Sequence, residues 1–215
     1  VSFAIPDGAK LFIGTVSTTI INATLSTGSP AVATIASGHG LVNGDEVLLN
    51  SLWEESDATL FRLINQLSTS VGLEGLDSTD TSYFAPSSNT GSLQKITGWT
   101  EVAQVTDIAM NGGDPKFATV GLLSRRRDIN LPAGFNPMSI TITLADDPAL
   151  TGQIALKVAG RSTAKRPFKM LMPGSGPAYW FGNVSFNDAP QIRKGQANTV
   201  QATVSLLGQF NRYAS

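Results

Sequence analysis

"MSITITLADDPALTGQIALKVAG", residues 138–160, changes its repeat halfway along. Up to Leu144, the apolar residues Met138, Ile140, Ile142 and Leu144 alternate with Ser139, Thr141 and Thr143. This two-residue period belongs to a strand with one buried face. Past Asp146 the pattern becomes helical. Asp146 or Asp147 is expected to cap the helix, with Pro148 at its first position, Leu150, Ile154 and Val158 along one stripe, and Gly160 as the stop. Gly152 weakens this helix by up to ~1 kcal/mol relative to alanine. A lone amphipathic helix among strands must lay its stripe on a sheet.

Working outward, "TVQATVSL" (199–206) repeats the alternation, with Val200, Ala202, Val204 and Leu206 opposite Thr199, Gln201, Thr203 and Ser205. "AYWFGNVSF" (178–186) places Trp180, Val184 and Phe186 on one side, and Gly182 is expected at a bend or bulge. "RPFKML" (166–171) is a further strand. Turn signals at Pro173-Gly174, Gly176-Pro177 and Lys194-Gly195 separate these segments at hairpin spacing.

The first half is β-rich in another way. "KLFIGTVSTTII" (10–21) and "GWTEVAQVTDIAM" (98–110) each read as a strand of the main sheet. Between them "GHGLVNGDEVLLNSL", "ATLFRLINQL" and "TSVGLEGLDST" form short strands joined by turns. Residues 23–97 are therefore expected to be a small all-β domain inserted in a loop of a host domain made of 1–22 and 98–215. Such insertions are tolerated because loop-closure entropy grows slowly with length. Charge supports the division. Residues 1–97 hold three basic and nine acidic groups, a balance of −6, whereas 98–215 hold twelve and seven, a balance of +5.

Composition narrows the function. Charged residues are only 14% of the chain, against a usual ~25%, and serine and threonine, 21 of each, replace them. Hydroxyls then wet much of the surface, as suits a protein that ends against other subunits. There is no cysteine, so disulfides and thiolate metal sites are ruled out. "VSFAIPDGAK" has no leader pattern, and the uncharged stretch 11–44 is broken by Ser, Thr, Asn, Gly and Pro30, so neither a secretory signal nor a membrane span is expected.

Catalysis lacks its usual parts. His39 is the only histidine, in a turn-rich "SGHGLVNGD", with no nucleophile elbow and no HExxH. Asp77 and Asp80 of "DSTD", and Asp146-Asp147, could ligate calcium, but turn and helix-cap roles are their default. No cofactor and no enzymatic activity are expected.

One cluster stands out. "VGLLSRRRDINLPAGFNP" (120–137) carries Arg125, Arg126 and Arg127 between Ser124 and Asp128 at the tip of a hairpin-like segment. A nucleic-acid binder would spread its basic residues over a face to neutralise several phosphates. Here Lys165-Arg166 and Arg193-Lys194 lie in separate segments and the pI is about 5.8. A solvated tip, or a contact with another copy of the chain, fits better.

The order of elements from 98 onward, with "ATVGLLSRRRDINLPAGF", "MSITITLADDPALTGQIALKVAG", "RPFKMLMPGSGPAYWFGNVSF" and "NTVQATVSLLGQF", resembles the major tail tube protein of long-tailed (siphovirus-type) bacteriophages. The resemblance covers about 20 N-terminal residues and nearly all of 98–215. The segment 31–79 is similar to small β modules of phage tail and baseplate proteins that open with "HGL-NGD-V", although Leu73 stands where those modules have an aromatic. The fold implied is mainly β: a tail-tube-type β-sandwich or half-barrel with one flanking helix, plus the small inserted domain.

What the resemblance implies is a virion protein without turnover chemistry. Its copies would form hexameric rings that stack into a tube, meeting tape-measure, baseplate and tail terminator proteins, and DNA would pass through the lumen without specific binding. It would be made in the host cytoplasm. On that plan Ser124, Arg125, Arg126, Arg127 and Asp128 become an inter-ring contact, with 120–135, 1–9 and 208–215 fixed only on stacking. Ser139, Thr141, Thr143, Thr199, Gln201, Thr203 and Ser205 are candidate lumen-facing residues. The inserted domain would project outside the tube, where Trp53 and Tyr83 are candidate stacking platforms for a sugar. A single-ring tail terminator or baseplate hub, and a monomeric carbohydrate-binding β-sandwich, remain alternatives.

Overall fold

The computed structural model describes residues 7–124 and 126–214. Its first strands are β1 (Lys10–Val16), β2 (Ile21–Leu25), β3 (Val32–Ile35), β4 (Glu46–Ser51), β5 (Thr59–Ile64), β6 (Ser70–Leu73) and β7 (Thr90–Val102). Then come β8 (Val105–Asn111), β9 (Pro115–Val120), β10 (Ile129–Phe135) and β11 (Ser139–Ala145). Helix α1 (Thr151–Arg161) precedes β12 (Lys165–Met172), β13 (Gly176–Gln191), β14 (Thr199–Leu206) and β15 (Asn211–Arg212). The protein is mainly β.

Two assemblies share β7. Its first half pairs with β2 and β4, closing a six-stranded barrel in the order β2-β3-β6-β5-β4-β7. Its second half pairs with β1 and begins the main sheet, β7-β1-β12-β13-β14-β11-β8. At Gly98 the ladder slips by one residue, and a φ of +75° makes glycine the residue that fits there. This bulge lies within β7, so the expected division at 97/98 falls inside a continuous strand.

The two stretches read as single strands each bend into two. "KLFIGTVSTTII" becomes β1 and β2 around Ser17–Ile20, and "GWTEVAQVTDIAM" becomes the end of β7 and β8 around Gln104, whose φ is +60°. Gly182 is regular in β13, paired with Arg166 and Leu206. A Cβ there would lie 2.3 Å from the Ser205 carbonyl oxygen, so close strand approach, not a bend, selects glycine.

The helix differs most from expectation. It starts at Thr151 behind Leu150, with no side-chain cap. The Asp147 carboxylate instead accepts the Ala149 N–H. Its buried face is Gly152, Gln153, Leu156 and Ala159, while Ile154 and Val158 point outward, 45% and 54% exposed. Glycine explains the rotation. A Cβ on Gly152 would meet the Glu101 carbonyl oxygen at 2.4 Å, and one on Gly160 would meet Phe186 at 2.8 Å. Backbone contact along a small-residue face lets α1 sit closer to the sheet than an Ile/Val stripe would, and Gln153 closes it by donating to the Ala145 carbonyl and accepting from the Asp147 N–H.

Three apolar clusters hold the molecule together. One fills the main sheet beneath α1, around Ile140, Ile142, Leu144, Phe168, Trp180 and Val204. A second fills the barrel around Trp53 and its leucines. The third, Leu48, Leu60, Ile96, Tyr179, Phe181 and Tyr213, joins barrel to sheet.

Candidate assembly surfaces

The alternation read in 139–144 and 199–206 places one row of each strand in the core and the other on the opposite face. Their pairing is antiparallel, with Ser139 opposite Ser205, Thr141 opposite Thr203, and Thr143 opposite Gln201. Thr199 lies opposite Ala145 at the end of the same ladder. All seven polar residues therefore share one face. The structure widens it. On β13, Asn183, Ser185 and Asn187 lie opposite Ser205, Thr203 and Gln201, and on β8, Asn111, Ala109 and Asp107 lie opposite Ser139, Thr141 and Thr143. Asn183, Ser185 and Asn187 alternate with Val184 and Phe186 on the opposite side of β13, a relation that alternation alone places on a face but only the pairing register joins to β14. Asp107 is the only charge among these positions, and the nearest basic residue in register, Lys165, sits at the margin opposite Asn183. Among the described residues strand β8 ends the sheet, paired on one side only, to β11.

The second surface is a two-stranded ribbon, β9 and β10, which among the described residues pairs with no other strand. The ladder runs from Phe117 opposite Pro132 to Val120 opposite Ile129. Ser124, Arg126, Arg127 and Asp128 occupy its exposed tip, and Arg125 lies outside the described residues. Among the described residues no ion pair involves this tip. Phe117, Leu123, Leu131 and Phe135 are all exposed on the ribbon. A lone ribbon has little stability of its own in water.

The third region binds barrel to sheet, and here the C-terminal segment departs from expectation. Residues 208–214 are docked in the single chain. Phe210 stacks on Trp180 at 5.6 Å, Asn211 donates to the Leu60 carbonyl at 2.8 Å, and β15 pairs with β13. The Tyr213 hydroxyl accepts the Arg62 N–H and donates to the Glu74 carbonyl. Beside it, Glu46 accepts from Lys169 at 3.0 Å, from the Tyr179 hydroxyl at 2.8 Å and from the Trp99 indole. Lys169 also lies 4.5 Å over the Trp99 ring.

Burial pushes the Tyr213 phenol up to about 12, and burial, then the Glu46 charge, also raises Tyr179. Both favour the neutral phenol in the folded chain. Tyrosines of the unfolded chain ionise from about pH 10, so this stability is intact below pH 10 and is lost as pH rises toward 12. Tyr213 alone then contributes a fall of roughly 2–3 kcal/mol. Denaturant midpoints measured from pH 9 to 12 should show it, and Tyr213→Phe should flatten part of the slope.

The remaining candidates take structural roles. His39 staples its loop. Its Nδ1 accepts the Leu41 N–H, so Nε2 carries the proton and donates to the Leu67 carbonyl at 3.1 Å. Asp77 and Asp80 accept from Thr79 and Ser82 in local turns, which hold both carboxyls below the usual range. Trp53 is no sugar platform, being 1% exposed, edge-on to Phe84 and bonded to the Ala85 carbonyl. Tyr83 is open to solvent. No helix among the described residues is long and apolar enough to cross a membrane.

A polar sheet face, an edge strand unpaired among the described residues and an exposed two-stranded ribbon are surfaces suited to meeting other subunits. A family model described as phage tail tube protein matches residues 51–215, and the chain belongs to that family. The matched range takes in β5 and β6 of the barrel as well as the main sheet from β7 onward. The family is one of structural virion components that assemble into a tube. Among curated proteins none matches the chain.

Proposed function

We propose that six copies join side by side into a ring, that rings stack into the tail tube, and that the polar face of β13, β14, β11 and β8 lines the lumen through which DNA is ejected. The observation that carries this reading is the face itself, hydroxyls and amides of β11, β13 and β14 in register beside Asn111, Ala109 and Asp107 of β8, with no lysine or arginine on β8, β11 or β14. Phosphates would slide past without being trapped, so electrostatic drag stays low. The unpaired edge of β8 supports ring closure, because a neighbouring strand would satisfy its free N–H and C=O groups. The barrel hangs from β7, at the other end of the strand order from β8. On this reading the barrel, which covers Tyr179 and Phe181 at the start of β13, flanks the ring-forming sheet and lies outside the tube. The arginine-tipped ribbon reaches the next ring. Tape-measure, baseplate and terminator proteins would meet the tube at its core and two ends.

Thr141 and Thr203 face each other across the ladder, so paired lysines would repel within one subunit and blur the result. Thr141→Lys alone places one cation per subunit in the lumen. Phage carrying it should assemble normal tails and eject DNA several-fold more slowly, with the delay shrinking at high salt. Unaltered ejection from tails shown to contain the variant would remove Thr141 from the lumen.

A further inference from the structure

We infer that the arginine-bearing ribbon tip of one copy docks in an aromatic groove of the next copy, between the barrel and the base of that copy's own ribbon. The inference rests on the stacking proposed above and names the surface that receives the tip. The groove has a volume of about 800 Å³. Tyr83 and Phe84 of the barrel form one wall and Phe117 and Phe135 of the ribbon base the other, with Glu55 and Asp77 at the rim. Tyr83 is 63% and Phe135 75% exposed, so these rings are largely uncovered in the single chain.

Charge and shape both point to the tip as occupant. Leu122 and the fully exposed Leu123 offer apolar side chains to the rings. Arg126 and Arg127 offer planar cations that stack on aromatic faces and pair with carboxylates. The rim carboxylates Glu55 and Asp77 are opposite in charge to Arg126 and Arg127, and they belong to the first 97 residues, which balance at −6. The tip cannot enter its own groove. The continuous ladder from Phe117–Pro132 to Val120–Ile129 carries residue 123 roughly 20 Å from the groove wall, and folding back would break it. A tip-to-groove contact is heterologous and leaves a tip free at one end of the stack and a groove free at the other, so it propagates.

The chain has no cysteine, so introduced ones report a single contact. Assembled Leu123→Cys/Tyr83→Cys protein, mildly oxidised, should run as a ladder of covalent multimers. The two single variants mixed should give dimers, and neither alone should cross-link. Tubes without a ladder would overturn the docking. So would cross-linking of Leu123→Cys alone, which means tip meets tip, or a fast-migrating monomer, which means the tip reaches its own groove. Should the cysteine pair block assembly, charge exchange decides. Arg126→Glu/Arg127→Glu and Glu55→Arg/Asp77→Arg should each abolish tubes, and their combination should restore them. Tubes from either exchange alone contradict the contact. Wild-type protein that forms neither rings nor tubes would overturn the stacking reading itself, and this docking with it.

Discussion

Joining Val16 to Ile96 through an Asn-Gly turn, so that the barrel strands are removed, is expected to yield protein that does not fold. The join itself is benign, because Val16 and Ile96 are partners in the β1–β7 ladder and Asn-Gly suits a two-residue hairpin. The damage lies in what the barrel covers. Tyr179 and Phe181 are 3% and 5% exposed in the intact chain, and Ile96 and Tyr213 share their cluster. Uncovering such side chains costs roughly 1.5–3 kcal/mol each. Four of them approach the whole ~5–15 kcal/mol of a typical domain. The C-terminal segment would also lose its partners at Thr59 and Leu60. Solubility and a thermal melt read the outcome, and adding Tyr179→Thr and Phe181→Thr should recover soluble protein. A deletion that melts cooperatively near the native temperature would show the barrel to be an appendage.

Glu46→Ala should cost about 2–4 kcal/mol, below the 3–5 of a fully buried pair because both partners keep some water contact. It leaves the Lys169 ammonium over Trp99 without a counter-charge, and the Tyr179 hydroxyl and Trp99 indole without their acceptor. For a chain of this size the melting temperature should fall by roughly 5–15 °C. Glu46→Gln keeps an acceptor and loses the charge, so an intermediate fall is expected. Glu46→Met with Lys169→Met should regain much of the loss, since apolar replacement of a buried pair is often neutral or better. A loss within about 0.5 kcal/mol for Glu46→Ala would reduce the cluster to an exposed surface pair.

These two junction effects were the least legible in the sequence. Glu46, Trp99, Lys169 and Tyr179 come from four separate strands, and no local pattern links them. The docked C-terminal segment was missed for the same reason, because Phe210, Asn211 and Tyr213 each answer to a partner far away in the chain. Strands with one wet face were readable down to the side chain, since alternation along 139–144 and 199–206 records burial directly. The helix was found but turned the wrong way. An Ile/Val stripe predicts the buried face only when side chains set the packing distance, and here Gly152 and Gly160 set it. The polar rows Ser139, Thr141, Thr143 and Thr199, Gln201, Thr203, Ser205 are legible strand by strand, but that the two rows share one face follows only from the pairing register. The extension of that face onto Asn183, Ser185 and Asn187 needed the register too.

Electron microscopy of the purified chain over a wide concentration range shows whether it builds a tube. Hollow tubes of uniform width made of stacked rings are expected, and they should disappear when Arg125, Arg126 and Arg127 are all changed to alanine. Particles that remain monomeric at every concentration, or single rings that never stack, would contradict a stacked tube.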